Sequence, residues 1–82
     1  MLKISERYKI RIPIIAIVEV GGLHTSLFTV PGDIVTIIGG PIDGLRMVEV
    51  KWRDTTALMF TMELRDHADL ISESASGSRR KP

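Results

Sequence analysis

Residues 8–20 read YKIRIPIIAIVEV, and the fold turns on whether this apolar stretch is a membrane span, a signal segment or a strand. A spanning helix needs ~20 predominantly apolar residues. Here Arg7, Lys9 and Arg11 crowd the start of the run and Glu19 closes it, so it is too short to span. A signal segment places its cations before the apolar stretch, whereas here they alternate with it. Tyr8, Ile10, Ile12, Ile14, Ala16, Val18 and Val20 hold even positions, while Arg7, Lys9, Arg11 and Glu19 are odd. That period of two predicts one long strand with the even residues on the core and the cations facing outward. Ile15 and Ile17 make the odd face apolar near the middle, which predicts cover on both sides there. Pro13 lacks an amide donor and predicts an edge, a bulge or a bend at that point. A long strand that bends and changes partners suits a barrel.

Working outward, the chain reads as short strands separated by turn chemistry. Gly21 and Gly22 end the first strand, and HTSLFTV predicts a second, shorter one. Pro31 and Gly32 suit the two central positions of a type II turn, where a proline-like φ is followed by a positive one. DIVTII at 33–38 is apolar on both faces and is expected to be a central strand, with the breaker-rich GGPIDG as the loop after it. MVEVKWR alternates again, with Val48, Val50 and Trp52 on one face and Glu49, Lys51 and Arg53 on the other. Asp54 and Thr55 are expected to form a tight hairpin, returning Leu58 and Phe60 to the face of Val50 and Trp52. Leu64, Ala68 and Ile71 have helical spacing, with Thr61 as a cap and Glu63 near the positive helix end, so a short helical turn is expected there. From residue 72 the chain has no large apolar side chain and ends in a basic cluster, which predicts a disordered tail over 72–82 after a domain over 1–71.

The 82 residues hold one domain, whose core buries only ~60% of the surface of the unfolded chain. There are no cysteines, so neither a disulfide, a thiolate metal site nor a thiol nucleophile can be formed by this chain. A cytoplasmic location is the expectation that goes with this. The net charge of +1 supplies no global field for nucleic acid. Asn and Gln are absent as well, a bias also seen in heat-adapted proteins. Five or so strands and one helical turn predict an all-β fold, a small SH3-like five-stranded barrel with one short helical turn near the C-terminus.

Residues 32–50, GDIVTIIGGPIDGLRMVEV, carry a resemblance. A Gly-Asp opens a β-branched strand, a Gly-Pro loop follows, and a valine-rich strand returns; Gly32, Asp33, Val35, Gly40, Pro41 and Gly44 stand where that pattern has them. The stretch resembles the KOW-type segment of SH3-like barrels. The return strand departs from the family, having LRMVE where a second glycine and basic residues are usual. The resemblance therefore implies the SH3-like fold more than the RNA or ribosome binding common among KOW proteins.

No catalytic constellation emerges. His67 with Glu63 could be drawn as two metal ligands four apart on a helix, but without a second motif a solvated surface with charge pairs is the better reading. His24 sits beside glycines, and Thr25 and Ser26 have no spacing to a base and an orienting acid. Asp43, Glu49, Asp54 and Glu63 fall on predicted turns or outward faces, where ordinary ionisation is expected. The glycine pairs match no phosphate-binding loop, and no cofactor is implied.

Binding is the better prospect. Arg7, Lys9 and Arg11 line one side of an extended strand at intervals of ~7 Å, near the spacing of successive phosphates. Lys51 and Arg53 on a neighbouring strand, with Arg79, Arg80 and Lys81 of the tail, could extend a basic stripe. Glu49 interrupts it, stacking aromatics are scarce, and alternating charge on a strand face commonly serves to keep a sheet soluble. Trp52 shares parity with Val48 and Val50, so it is expected in the core instead of at a peptide groove. Met47, Met59 and Met62 could line an adaptable groove or fill gaps in a small core. The leading expectation is a non-catalytic module binding protein or peptide, with self-association into a homo-oligomer through the edge of the long first strand. The alternative is a KOW-like RNA- or ribosome-associated protein using Arg7, Lys9, Arg11, Lys51, Arg53 and the tail. No membrane partner is expected.

Overall fold

The computed structural model describes residues 3–42 and 46–72, as seven strands and one helix. In chain order they are β1 (Arg7–Ile10), β2 (Ile15–Val20), β3 (Leu23–Phe28), β4 (Ile34–Ile42), β5 (Met47–Trp52), β6 (Thr55–Phe60), α1 (Thr61–His67) and β7 (Ala68–Ser72). The strands form one antiparallel sheet in the order β3-β2-β6-β5-β4-β1-β7. The all-β class with one short helix stands. The five-stranded closed barrel does not, because there are seven strands and the terminal strands β3 and β7 do not pair with each other among the described residues.

The opening stretch shows why the strand count rose. Pro13 cannot donate to a ladder, and residues 11–14 leave the strand conformation, dividing the predicted long strand into β1 and β2. Each half takes its own partners, β4 and β7 for β1, β3 and β6 for β2. The backbone groups freed at the bend are satisfied locally, as buried polar groups must be. The amides of Arg11 and Ile12 both donate to the His67 carbonyl, at 2.8 and 3.1 Å. Buried Thr29 clamps the far side: its hydroxyl accepts from the Ile14 amide at 2.9 Å, and its own amide donates to the Ile14 carbonyl. Tyr8, Ile10, Ile14, Ala16 and Val18 are buried as their parity requires, but Ile12 in the bend and Val20 beside the hairpin turn are exposed.

The core follows from cross-strand rows on one face. Val18, Ala57, Val50 and Ile37 lie side by side across β2, β6, β5 and β4, and all are buried. Among the described residues one short helix is available to cover this face, through buried Leu64. The sheet must therefore curl so that its inner face packs against itself, as twisted antiparallel sheets do. Each valine or isoleucine side chain withdrawn from water contributes about 1.5–3 kcal/mol, Ala57 less, and these rows supply the apolar burial on which so small a domain depends.

Several local expectations shift. The β5–β6 turn is Arg53-Asp54, with φ of 53° and 64°, one residue earlier than expected. A two-residue turn at either place sets odd-numbered residues of the return strand opposite even-numbered residues of β5, so the faces of β6 are the reverse of those expected. Ala57 and Met59 consequently meet Val50 and Val48 in the core, while Leu58 and Phe60 lie opposite Glu49 and Met47 on the outer face. The Val30-Pro31-Gly32-Asp33 turn forms as expected, closed by the Asp33 amide donating to the Val30 carbonyl at 3.0 Å, with Gly32 at φ 97°. Strand β4 is central as expected, but Ile34 and Ile38 are exposed on its outer face. The breaker-rich loop after it is partly strand: β4 runs on to Ile42 through two register irregularities. Gly40 permits this, since it has φ 107° and a Cβ there would stand 3.0 Å from the Val48 Cα.

Helix α1 is shorter than its apolar spacing predicted. Phe60 is its N-cap and no side chain caps it, while Thr61 is its first residue and donates its hydroxyl to the Arg46 carbonyl at 3.1 Å. Ala68 leaves the helix for β7, which pairs with β1. The Asp43 and Gly44 readings and those on the tail over 73–82, including Arg79, Arg80 and Lys81, lie outside the described residues.

Candidate functional site

The predicted basic residues do not act as one stripe. Arg7 and Lys51 flank Thr36 in a single row across β1, β4 and β5, which sets their Cα atoms about 10 Å apart on the outer face. Lys9 lies on the same face between Ile34 and Asp69. Arg11 has left the strand: its guanidinium is 2.6 Å from Asp69 and also bonds the Asp66 carbonyl, tying the bend to the end of α1. Arg53 sits in the β5–β6 turn, 5.1 Å above the Trp52 ring and paired with Asp33 at 3.2 Å. Among the described residues Arg7, Lys9 and Lys51 make no ion pair, and Glu49 stands in the neighbouring row against Gly39.

Asp33 is the most heavily engaged carboxylate. Its oxygens accept from the Val30 amide at 3.0 Å, the Trp52 indole at 3.0 Å and the Arg53 guanidinium. Burial raises its pKa, but these bonds and the Arg53 charge outweigh that and hold it below the ordinary value. Trp52 is buried as its parity required, and Asp33 is the partner that its indole donor needed. A second polar pair lies at the start of the chain, where Glu6 is buried and accepts from the Tyr8 hydroxyl at 3.0 Å and the Lys3 amide at 2.8 Å. Burial, the bond to Glu6 and its charge together push the Tyr8 hydroxyl up to about 12. Both sets fasten turns to the sheet and engage each carboxylate in structural hydrogen bonds.

The other feature is strand β3. It pairs with β2 in six unbroken register positions, Ile15↔Phe28 through Val20↔Leu23, and all six of its residues are exposed. The core rows end before they reach it. Leu27 continues the row of Ala16, Met59 and Val48, yet it is 44% exposed where Met59 is 0%. Leu23 is 72% exposed and Phe28 66%. The edge expected at the first strand is here instead, because β1 is enclosed by β4 and β7. No signal in HTSLFTV marks it as an edge: its pattern resembles any half-buried strand, and edge position is set by the order of distant strands.

Of the histidines, His24 lies on β3 opposite Glu19. His67 ends α1, with its Nδ1 buried and lacking a partner among the described residues. Among those residues no group of three or more metal-ligating side chains is gathered and no helix is long and apolar enough to cross a membrane. No family model matches the chain, no curated protein matches it, and no solved structure matches its fold.

Proposed function

We propose that the protein is a non-catalytic interaction module that accepts another polypeptide as an added strand along the open edge of β3. The observation that carries this is a regular six-residue strand, bonded on one side only among the described residues, with exposed Leu23, Leu27 and Phe28 beside its open backbone. Strand addition draws affinity from main-chain hydrogen bonds and selectivity from alternate side chains. The engagement of Glu6, Asp33 and Asp69 in structural bonds supports a role without catalysis. Cytoplasmic residence and an SH3-like ancestry for the curled sheet belong to the same reading.

Amide exchange tests it, measured at increasing protein concentration and with extended peptides of alternating apolar pattern. The amides of His24, Ser26 and Phe28 are expected to slow under at least one condition. Rates that stay those of a free edge under all of them would sink the proposal.

A second reading rests on Arg7, Lys9 and Lys51, three cations on one face that make no ion pair among the described residues, together with the KOW-like pattern of residues 32–50. It makes the outer face a contact for RNA. Such binding must weaken steeply as salt rises, so an RNA pool showing no salt-sensitive retention at low ionic strength ends it.

A further inference from the structure

We infer that the polypeptide added to β3 is β3 of a second copy of this chain, in one defined antiparallel register. This rests on the strand-addition reading and names its partner.

The direction of the backbone groups follows from the hairpin. Gly21 and Gly22, at φ 59° and 83°, form a two-residue turn between Val20 and Leu23. The residues flanking such a turn are a hydrogen-bonded pair, and bonded pairs then alternate along an antiparallel ladder. Val20/Leu23, Val18/Thr25 and Ala16/Leu27 are therefore the bonded pairs, and the Thr29 amide on the Ile14 carbonyl continues the series. His24, Ser26 and Phe28 consequently turn their amides and carbonyls away from β2.

Two copies related by a two-fold axis through Ser26 satisfy all of these groups. Ser26 pairs with Ser26 of the second copy, and His24 with Phe28 of the second copy on either side. Every outward donor of one strand then meets an acceptor of the other, and each His24 ring lies beside a Phe28 ring on the same face. On the opposite face Thr25 of one copy stands against Leu27 of the other, extending the Ala16, Met59 and Val48 row across the axis.

The two open edges of the sheet argue for self-pairing at β3 and against a head-to-tail chain. Strand β7 has a register irregularity against β1 and carries Asp69 in an ion pair with Arg11. Bulges and charges of this kind are how natural edges resist pairing. Strand β3 has neither: its register is unbroken and it contains no Lys, Arg, Asp, Glu or Pro. Its only titratable side chain is His24, so no like charges oppose one another across the axis. An interface using β3 on both copies is isologous and closes at two, whereas β3 on β7 would propagate.

The chain has no cysteine, which allows a direct test. A bonded antiparallel pair holds its Cα atoms about 5.5 Å apart, within disulfide reach. Ser26→Cys is expected to form a covalent dimer under mild oxidation, while Thr56→Cys, at an exposed position of the internal strand β6, stays a monomer. Light scattering of the unmodified protein should show a mass rising from one chain to two with concentration, and no further. Ser26→Lys sets two cations face to face at the axis, and Ser26→Pro removes a donor that β2 does not use. Both should keep the protein monomeric at every concentration, with the thermal midpoint that the unmodified protein shows when dilute enough to be a monomer. A single-chain mass at every concentration with no Ser26→Cys dimer overturns the inference, as does a mass that climbs past two. If peptides slow the β3 amides while the protein stays monomeric, self-pairing falls and strand addition stands; if those amides never slow, both fall.

Discussion

The molecule contains two hairpins of the same design and opposite fate. β2–β3 and β5–β6 each join two six-residue strands through a two-residue turn with positive φ at both positions. In β5–β6 both strands bury alternate residues, because β4 and β2 flank them and the curled sheet closes over Val48, Val50, Ala57 and Met59. In β2–β3 only β2 does so, since no described strand lies beyond β3. A strand with the same length and turn is therefore core or edge according to its neighbours, and the contrast can be attacked at three points.

The largest effect should come from truncating matched residues of one row. Met59→Ala in β6 removes a fully buried side chain and is expected to lower stability by about 2–5 kcal/mol. Leu27→Ala in β3 should change it by about 0.5 kcal/mol or less. Urea unfolding at low protein concentration, where self-pairing is absent, measures both. Equal losses would mean that β3 is covered in solution.

Next is the anchoring of the turns. Arg53-Asp54 is held by Asp33 through Arg53 and Trp52, whereas Cβ atoms built on Gly21 and Gly22 would meet nothing within 4 Å. Asp33→Ala leaves the buried Trp52 indole without its acceptor and should cost about 1–3 kcal/mol. The exposed Arg53 adds little to this in salt. Because the folded pKa of Asp33 is lowered, its ionised form contributes stability that is full above the ordinary carboxylate value and is lost as pH falls through the folded one. Asp33→Asn should accordingly flatten the acid limb of a stability-versus-pH curve. An unchanged limb would show that other carboxylates set it.

The smallest effects concern the turn backbones. Asp54 holds φ 64° with a side chain, so Asp54→Gly should raise stability by about 0.5–1 kcal/mol. Gly22→Ala, at φ 83° and with open space around it, should lower it by about 1 kcal/mol from backbone strain alone. A shift in the urea midpoint at constant slope reports each, and opposite signs are the diagnostic result.

Much of the fold was legible because period-two alternation and turn residues are local. Tyr8, Ile10, Ile14, Ala16 and Val18 met their assigned face, Pro13 marked the break, and Pro31-Gly32 made the expected turn. The faces of β6 were misassigned because a two-residue turn pairs even-numbered with odd-numbered residues, which sets Ala57 and Met59, not Leu58 and Phe60, against Val50 and Val48. β7 was hidden because ADLIS continues the apolar spacing of the helix before it. Of the candidate site, exposure of Arg7 and Lys9 followed from parity, but the capture of Arg11 by Asp69 and of Arg53 by Asp33 joins residues distant in the chain.

By itself the sequence determined a β-rich chain with a bend at Pro13, a type II turn at Pro31-Gly32, a buried Trp52 and outward cations, since sterics and alternation act within a few residues. Only the tertiary structure decided the strand order, the failure of β3 and β7 to meet, and hence which strand was left with an open edge. Those depend on long-range pairing and on how far a curled sheet can wrap one small core.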